Sequence, residues 1–358
     1  MPFTSEELSN AGKASLDFYE KNPLVDQHNV EHPLYNKLSK KKPKTAPGGK
    51  QYIVEQLRKS NSSNFQWFNG SQIVTYNKRN NIEQSQFAWR SAHDGFALDE
   101  DRLIQNAIHI TEGKEKTASK AERVQLSNLL EEETEALQLG YIEKFDEALH
   151  LDGTQSTDAI EGIDSIISLT PAVGTVGGID ASLAANIWWR NHSATGLTTT
   201  TTTGDILDKM EIAWRACIRN GGKPDFILVG SDFLDGFRNF MMKTYGRINF
   251  QGVQEKKIEG GSGHNEGVRT GLYFHGTELI WDPTFANLDA AFSPAIPWEK
   301  RCYFINCRHL RLRPLEGQDR VTRKPPRAYD KYEYYWGLTW RGAVTTNRRH
   351  AHGVLSIA

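Results

Sequence analysis

One long helical segment constrains the fold of this chain more than any other feature. Residues 117–150 include Ser119-x-x-Glu122, which matches a capping box. Apolar side chains then recur on one face at helical spacing: Leu126, Leu130, Leu137, Tyr141, Phe145 and Ala148. The pattern predicts one helix of about 33 residues, roughly 50 Å long at 1.5 Å per residue. Because that length exceeds the width of a small domain, we expect an extended subunit that meets neighbouring molecules.

The opposite face of this predicted helix is acidic. Glu131, Glu132 and Glu133 have no bases at the spacing that would pair them within the helix. We therefore expect them either to face water or to contact a basic surface, including one on another subunit.

A basic region lies near the C-terminus, although the net charge of the chain is only -1. Residues 300–352 contain 13 Lys and Arg against four acids. Three interpretations compete: contact with nucleic acid, pairing with an acidic surface of another subunit, and a solvated face. The candidate residues for the first two are Arg311, Arg313, Arg320, Arg323 and Lys324.

An aromatic segment follows the first predicted strand. Residues 52–58 have strand chemistry, residues 59–64 are rich in turn formers, and residues 65–68 and 73–76 again have strand chemistry. The pattern predicts a long β-hairpin. Because an isolated hairpin is marginal in water, its Phe65, Trp67 and Phe68 need a partner surface, which another subunit can supply.

Helices and strands are both predicted in the second half of the chain, and sheet elements lie towards both ends, so the predicted fold class is mixed α+β. Residues 206–217 form an amphipathic pattern that ends at Gly221-Gly222, residues 226–229 form a buried strand, and Ser231 caps a further helix. Later strands are predicted near 272–274, 278–281, 302–305 and 310–312, and period-two alternation predicts another over residues 332–340.

No catalytic or cofactor motif is present. The chain has no phosphate-binding loop, dinucleotide fingerprint, nucleophile elbow or zinc-protease motif. Two sets of polar residues are interpreted as having no chemical function. We interpret the histidines as surface residues rather than metal ligands: His264, His309, His350 and His352. We interpret the acidic residues as turn and cap residues: Asp152, Asp158, Glu161 and Asp164.

Cysteine usage and hydropathy indicate a protein made in the cytosol. Three cysteines are too few for a disulfide framework, so we expect Cys217, Cys302 and Cys307 to be reduced packing residues. No segment has the length and apolar character needed to cross a bilayer, and the first residues lack an apolar signal region.

Short runs follow one another in a definite order along the chain. They are His150-Leu151-Asp152-Gly153, Gly177-Gly178-Ile179-Asp180, Trp188-Trp189-Arg190-Asn191, Pro224-Asp225-Phe226-Ile227-Leu228-Val229 and Phe274-His275-Gly276-x-x-Leu279-Ile280-Trp281-Asp282-Pro283. Residues 1–48 are sparse in apolar side chains and contain a cluster of lysines, so we expect a basic arm that becomes ordered by lying on another surface, such as a neighbouring copy. Together with this arm, the hairpin and the long helix, the order of the runs resembles tailed-bacteriophage major capsid proteins of the Hong Kong 97 fold. The resemblance spans essentially the entire chain.

The resemblance implies a domain plan and an assembly. It implies an N-terminal arm (1–48), an extended loop (49–79), a peripheral domain with a long spine helix (80–152), an axial α/β domain (153–299) and a return to the peripheral domain (300–358). It also implies hexamers and pentamers that close an icosahedral shell around double-stranded DNA, without a cofactor.

Further expectations concern partners and location. A separate scaffolding protein, a portal and decoration proteins are the expected partners, and packaged DNA would be contacted through its phosphates without sequence preference. We expect assembly in the host cytoplasm, residence in the virion and no membrane contact.

Two other functions compete with the capsid. One is an encapsulin-like nanocompartment shell protein, which would enclose an enzyme cargo. The other, from a different class, is a soluble α/β enzyme that uses Asp152, Asp158 or the histidines.

Overall fold

The computed structural model describes residues 31–40, 47–99, 101, 120–200, 205–219, 221–245, 269–325 and 333–358. For residues 120–131, 243–245 and 269 it describes the backbone only. The predictions made for residues 1–30, Ser119, His264 and Tyr332 lie outside this set. The helices are α1 (Pro33–Lys40), α2 (Lys120–His150), α3 (Ile163–Ile166), α4 (Ile206–Arg219), α5 (Ser231–Tyr245) and α6 (Thr284–Phe292). Within this part of the chain no helix is long and apolar enough to cross a membrane.

Strands form most of the remaining regular structure, so the fold is mixed α+β as predicted. The early strands are β1 (Tyr52–Arg58), β2 (Ile82–Ala88), β3 (Arg90–Asp99), β4 (Thr175–Val176), β5 (Ile179–Asp180) and β6 (His192–Leu197). The later strands are β7 (Phe226–Val229), β8 (Arg269–Phe274), β9 (Thr277–Trp281), β10 (Arg301–Ile305), β11 (Leu310–Pro314), β12 (Val321–Arg323), β13 (Glu333–Thr346) and β14 (Gly353–Ile357).

The described residues fall into two compact units. The larger unit contains Glu31–Ser91, Phe145–Glu316 and Arg341–Ala358. The smaller unit contains the described parts of Ala92–Lys144 and Gly317–Trp340.

A six-stranded sheet forms the centre of the larger unit. Its strand order is β6-β14-β10-β7-β9-β8, with parallel pairing between β6 and β14 and between β7 and β9. Side chains from α4 and α5 cover the sheet because both helices carry apolar residues at helical spacing. The predicted helix-strand-helix unit is confirmed, with α4, β7 and α5 in the expected order. The core residues include Ile206, Met210, Trp214, Ile227, Val229, Phe233, Phe237, Phe304 and Leu355.

Helix α1 packs within its own chain. Its Leu34, Tyr35 and Leu38 are buried, and the rings of Tyr35 and Phe145 meet edge to face at a centroid distance of 5.9 Å. The expectation of an arm that gains order only on other molecules is therefore wrong for residues 33–40. Residues 33–40 form an amphipathic helix with one apolar face. The lysines in and around the helix lower the average hydrophobicity of the segment, so composition alone did not reveal that face.

Strands β1 and β2 form the base of the predicted hairpin. They pair antiparallel, from Tyr52 opposite Ala88 to Arg58 opposite Ile82. No strand is assigned between Lys59 and Asn81, so the predicted strands at 65–68 and 73–76 are wrong. The β-propensity of aromatic and β-branched side chains reflects packing on a sheet face, and these residues have no such face beneath them.

The smaller unit contains a sheet formed by β3, β12 and the first part of β13. Within it, β12 pairs with the first part of β13, from Val321 opposite Thr339 to Arg323 opposite Gly337, and β3 also pairs with β13. The rings of Phe96 and Trp336 stack at a centroid distance of 6.2 Å. Leu338 and Trp340 are buried, consistent with the alternation that predicted this strand.

Candidate functional site

The segment between β1 and β2 exposes a set of large apolar side chains. No residue from Lys59 to Asn81 is buried, and the exposed fractions of Phe65, Trp67 and Phe68 are 74%, 88% and 66%. Ile73 and Tyr76 are also exposed. Exposed apolar residues that cluster in this way mark interaction surfaces, whereas single ones need no explanation. We call residues 59–81 the exposed segment.

Polar contacts hold the exposed segment in a hairpin-like course without strand pairing. At its base the Lys59 amide donates to the Asn81 carbonyl at 2.9 Å. Further along, the Gln66 Nε2 amide donates to the Thr75 carbonyl at 2.9 Å, and at the tip the Gln72 amide donates to the Asn69 carbonyl at 2.8 Å. The apolar rings take no part in these bonds, so they remain available to another surface.

Two of the three predicted acidic contact residues can be placed on α2. Glu132 is exposed and Glu133 is half-buried. Glu131 lies on the same helix, and its side chain is outside the described set. Contact of this acidic face with another subunit stays a prediction.

Three of the predicted basic residues lie at the surface of the smaller unit. Arg320, Arg323 and Lys324 are exposed, on β12 and beside it. The Arg323 Nη2 group donates to Gln318 Oε1 at 3.0 Å, and the Lys324 ammonium lies 4.3 Å from the centroid of the Trp336 ring. Arg320 lies 4.0 Å from the Asp319 carboxylate. All three side chains are exposed, so an anionic partner could reach them.

The two other predicted basic residues lie on β11. The Arg313 guanidinium is buried and forms an ion pair with Glu55 on β1. Since this pair uses the charge of Arg313 inside the unit, we leave Arg313 out of the proposed basic surface. Arg311 is half-buried, and its Nε donates to the Arg308 carbonyl at 2.9 Å.

A buried ionic cluster connects distant parts of the chain in the larger unit. The His150 side chain, at the end of α2, has Nε2 2.7 Å from Asp282 Oδ2 and Nδ1 2.7 Å from the Asp146 carbonyl oxygen. A carbonyl oxygen and an ionised carboxylate oxygen both accept hydrogen bonds, so beside an ionised Asp282 both ring nitrogens donate and the ring is an imidazolium. All three side chains are buried.

The Asp146 carboxylate receives hydrogen bonds from two further elements. The Tyr35 amide, on α1, donates to Oδ1 at 3.0 Å, and the Thr284 hydroxyl, on α6, donates to Oδ2 at 2.9 Å. His32 Nδ1 lies 3.3 Å from Oδ2. The carboxylate therefore links α1, the end of α2 and the start of α6.

Opposing effects set the pKa values in this cluster. Burial favours neutral His150, but the carboxylates of Asp282 and Asp146 and the hydrogen bonds outweigh it and raise the pKa of His150 to about 9. For Asp146, burial acts to raise the pKa, yet the charge of His150 and the bonds from His32 and Thr284 hold the pKa below its ordinary value. The cluster is an imidazolium between two carboxylates.

The same three residues have the composition of a metal site. One ligand atom each from Asp146, His150 and Asp282 lies within 4.8 Å of the others. A metal would need a lone pair on a ring nitrogen of His150, but both nitrogens already face hydrogen-bond acceptors. These residues fit a protonated histidine better than a metal ion.

Sequence patterns did not reveal this cluster as a unit. His150 and Asp282 both lie in the short runs on which the resemblance rests, but those runs were used only for their order along the sequence. They are separated by 132 positions, and no spacing rule connects residues so far apart. The only local signal is a charged pair at i and i+4, Asp146 and His150.

Two interpretations of polar residues need correction. His309 and His352 are buried and His350 is half-buried, so none of these three is a surface histidine. Burial lowers the pKa of His352 to about 3, because solvent cannot stabilise the charged ring. Asp164 is not a turn or cap residue, since its Oδ1 lies 3.0 Å from Arg301 Nη1 in a largely buried ion pair.

Other interpretations hold. Asp152 Oδ1 accepts bonds from the Thr154 amide at 3.0 Å and from the Thr154 hydroxyl at 2.8 Å, which is the predicted turn role. The predicted state of the cysteines is confirmed, since Cys217, Cys302 and Cys307 are all free and buried.

Comparison with known proteins identifies the fold. No protein-family model matches the chain, and no curated protein matches it. Among solved structures, a chain of the cyanophage A-1(L) capsid superposes with a TM-score of 0.61 at 15% identity, over 94% of this chain and 95% of that chain.

Two further structures agree over nearly full length. A chain from a structure of Mycobacterium phage Bobi gives a TM-score of 0.53 at 11% identity and covers 100% of this chain and 99% of that chain. The capsid of a native GTA particle gives 0.53 at 12% identity, over 95% and 96%. The superpositions cover nearly all of each chain although the sequence identities are low. They confirm the expected fold: this chain has the fold of phage capsid proteins.

Proposed function

We propose that this chain is the major capsid protein of a tailed phage. Its copies would self-assemble into hexamers and pentamers that form an icosahedral shell around double-stranded DNA, in the host cytoplasm and then in the virion. One observation carries the proposal: the fold agrees with a phage capsid chain from end to end, over 94% of this chain and 95% of the other. The role proposed is structural, without catalysis.

The exposed segment supports self-association in particular. Its Phe65, Trp67 and Phe68 are mostly exposed, although the rings of Phe65 and Trp67 meet edge to face at a centroid distance of 5.2 Å. In a shell, a neighbouring copy would cover these rings. Many such contacts repeated by symmetry would stabilise a closed assembly even if each is weak.

The proposal assigns each part of the chain to a region of the capsid subunit. We assign residues 1–48 to an arm, 49–79 to the extended loop, 80–152 to a peripheral domain with α2 as its spine, 153–299 to an axial domain and 300–358 to the return. Residues 33–40 are an exception within the arm, because they pack in their own chain. Glu131, Glu132 and Glu133 are proposed as contacts between subunits.

Partners other than copies of the chain follow from the same role. Arg311, Arg320, Arg323 and Lys324 are candidates for phosphate contacts to packaged DNA or for pairing with the acidic face of α2 in another copy. A separate scaffolding protein, a portal and decoration proteins complete the proposed set.

Electron microscopy of the purified chain, with and without co-expressed scaffolding protein, tests the proposal. We expect capsomers of six and five subunits or closed shells. A monomer that persists at high concentration and with the scaffolding protein would contradict it. Shells that enclose a protein cargo and no nucleic acid during phage infection would favour a nanocompartment instead.

A further inference from the structure

A polar cavity lies at the base of the exposed segment, inside the larger unit. Its volume is about 570 Å³. Three elements line it: the end of β1 with the first residues of the exposed segment, the 3-10 helix Ala184–Trp189, and the turn that follows β13.

The charges that line this cavity have one sign. Arg58, Lys59 and Arg348 line it, and none of the lining side chains is a carboxylate. Lys59 has an ion-pair partner outside the lining, Glu83, at 3.1 Å. The side chain of Arg58 is exposed. Arg348 is half-buried, and its Nη1 donates to the Gly221 carbonyl at 3.4 Å.

Two buried polar atoms on the same lining lack partners. The Trp188 indole N–H and His350 Nε2 have no hydrogen-bond partner in the part of the chain that the structure describes. Buried polar groups in proteins are almost always satisfied, so each such atom calls for an explanation. A ligand with oxygen acceptors in the cavity would satisfy the indole N–H.

Arg349 lies in the sequence between Arg348 and His350, which both line the cavity. Arg349 does not line the cavity, but its guanidinium is fully buried. Its Nε donates to the Ile166 carbonyl at 2.6 Å, whereas Nη1 and Nη2 have no partner among the described residues. A buried cation without a carboxylate favours an anion nearby.

We propose that this cavity binds an oxyanion, a phosphate or a carboxylate, held by Arg58, Lys59, Arg348 and the Trp188 indole N–H. Guanidinium groups bind planar carboxylates and phosphates with paired hydrogen bonds, which makes two arginines suitable ligands. Because Arg58 and Lys59 stand where β1 passes into the exposed segment, a bound anion holds the base of that segment. The proposal rests on the cavity alone and does not require the chain to form a shell.

Calorimetric titration of the full chain with sodium phosphate, at pH 7.5 and constant ionic strength set with sodium chloride, tests the site. We expect saturable binding. Arg58→Gln and Arg348→Gln should each weaken it roughly tenfold, on the order expected for loss of one charge-assisted hydrogen bond. Arg238→Gln is the matched control, since this exposed arginine on α5 pairs with Asp235 at 3.2 Å and does not line the cavity.

Two further measurements test which groups bind the anion and which anion the site prefers. Trp188→Phe keeps a large ring and removes only the indole N–H, so it should weaken binding while leaving the unfolding midpoint in chloride unchanged. A parallel titration with sodium acetate distinguishes a carboxylate site from a phosphate site. Absence of saturable binding for both anions, or equal weakening in Arg238→Gln, would overturn the proposal.

Discussion

His150 Nε2 lies 2.7 Å from Asp282 Oδ2, with both side chains inaccessible to solvent. The contact joins the last residue of α2 to the residue just after β9, and Asp146 extends it to α1 and α6. A charged pair of this kind is costly to bury, but removing one partner alone is costlier because the other charge stays buried. The cluster therefore fixes the end of the long helix within the larger unit.

Substitution of His150 should destabilise the larger unit strongly. We expect His150→Asn to lower the free energy of unfolding by about 3–5 kcal/mol, the range for breaking a buried ion pair. His275→Asn is a matched control, because its Nε2 also lies 2.7 Å from a carboxylate, that of Glu211, but at the exposed surface. The control should cost under about 1 kcal/mol in urea unfolding. Equal losses would contradict a special role for the buried pair.

Alkaline pH should remove the same stabilisation. The pKa of His150 is raised from 6.5 to about 9 in the folded chain. A raised pKa contributes stability that is complete below pH 6.5 and is lost as the pH rises through about 9, with a total on the order of 3 kcal/mol. The difference in unfolding free energy between wild type and His150→Asn should therefore shrink between pH 6.5 and pH 9.5. A constant difference over that interval would mean that His150 is not charged in the folded chain.

Local periodicity predicted the elements whose partners are close in sequence. Helix α4 follows from apolar residues at helical spacing and a Gly-Gly stop, and β7 from a short apolar run. Both lie in the core that these patterns imply. Helix α2 was likewise predicted to within a few residues, as Lys120–His150.

Features that depend on distant partners were not predictable in this way. Trp67 and Ile73 have strand chemistry, yet no strand lies next to them to supply hydrogen bonds and a packed face. His352 was assigned to the surface because histidine is usually polar and accessible, whereas it is buried just before β14 and its Nδ1 accepts a hydrogen bond from the Asn306 amide at 3.1 Å. The pairing of His150 with Asp282 requires the complete topology of the sheet.

Gly162 should not tolerate a side chain. A Cβ atom at this position would lie 2.3 Å from the Leu149 carbonyl oxygen and 2.4 Å from that of Leu151, just after α2. Its φ of -89° is accessible to any residue, so the penalty is steric. We expect Gly162→Ala to cost roughly 1–3 kcal/mol or more in chemical unfolding, as overpacking does. Gly70→Ala is the control, because a Cβ there would meet nothing within 4 Å, and it should change the free energy of unfolding by less than about 0.5 kcal/mol. A Gly162→Ala variant as stable as the wild type would refute the close approach.

The three cysteines should be unreactive in the folded chain. Cys217, Cys302 and Cys307 are buried, and burial raises the pKa of the Cys217 thiol to about 12, so little thiolate forms. A thiol reagent should label none of them at pH 8 in native buffer and all of them in denaturant. Ser71→Cys, at an exposed position, serves as the control and should be labelled at once. Rapid native labelling of Cys302 would show that the six-stranded sheet opens easily.

Polar substitution on the exposed segment should impair assembly without harming the folded chain. The Trp67 side chain is 88% exposed and contacts chiefly Phe65, so Trp67→Ser should change the free energy of unfolding by less than about 0.5 kcal/mol. If a neighbouring copy covers this ring, the same change removes a large apolar contact at each repeat of the interface, and small losses multiply across a shell. Sedimentation velocity should then show fewer capsomers or shells than wild type at equal concentration.

Trp67→Phe provides the matched control for this change. It retains an aromatic ring of the same apolar character, so it should restore most of the assembly that Trp67→Ser loses. Urea unfolding of both variants separates an effect on assembly from an effect on folding. Normal assembly of Trp67→Ser together with Phe65→Ser and Phe68→Ser would show that the exposed rings take no part in contacts between copies, even if the chain forms shells by other surfaces.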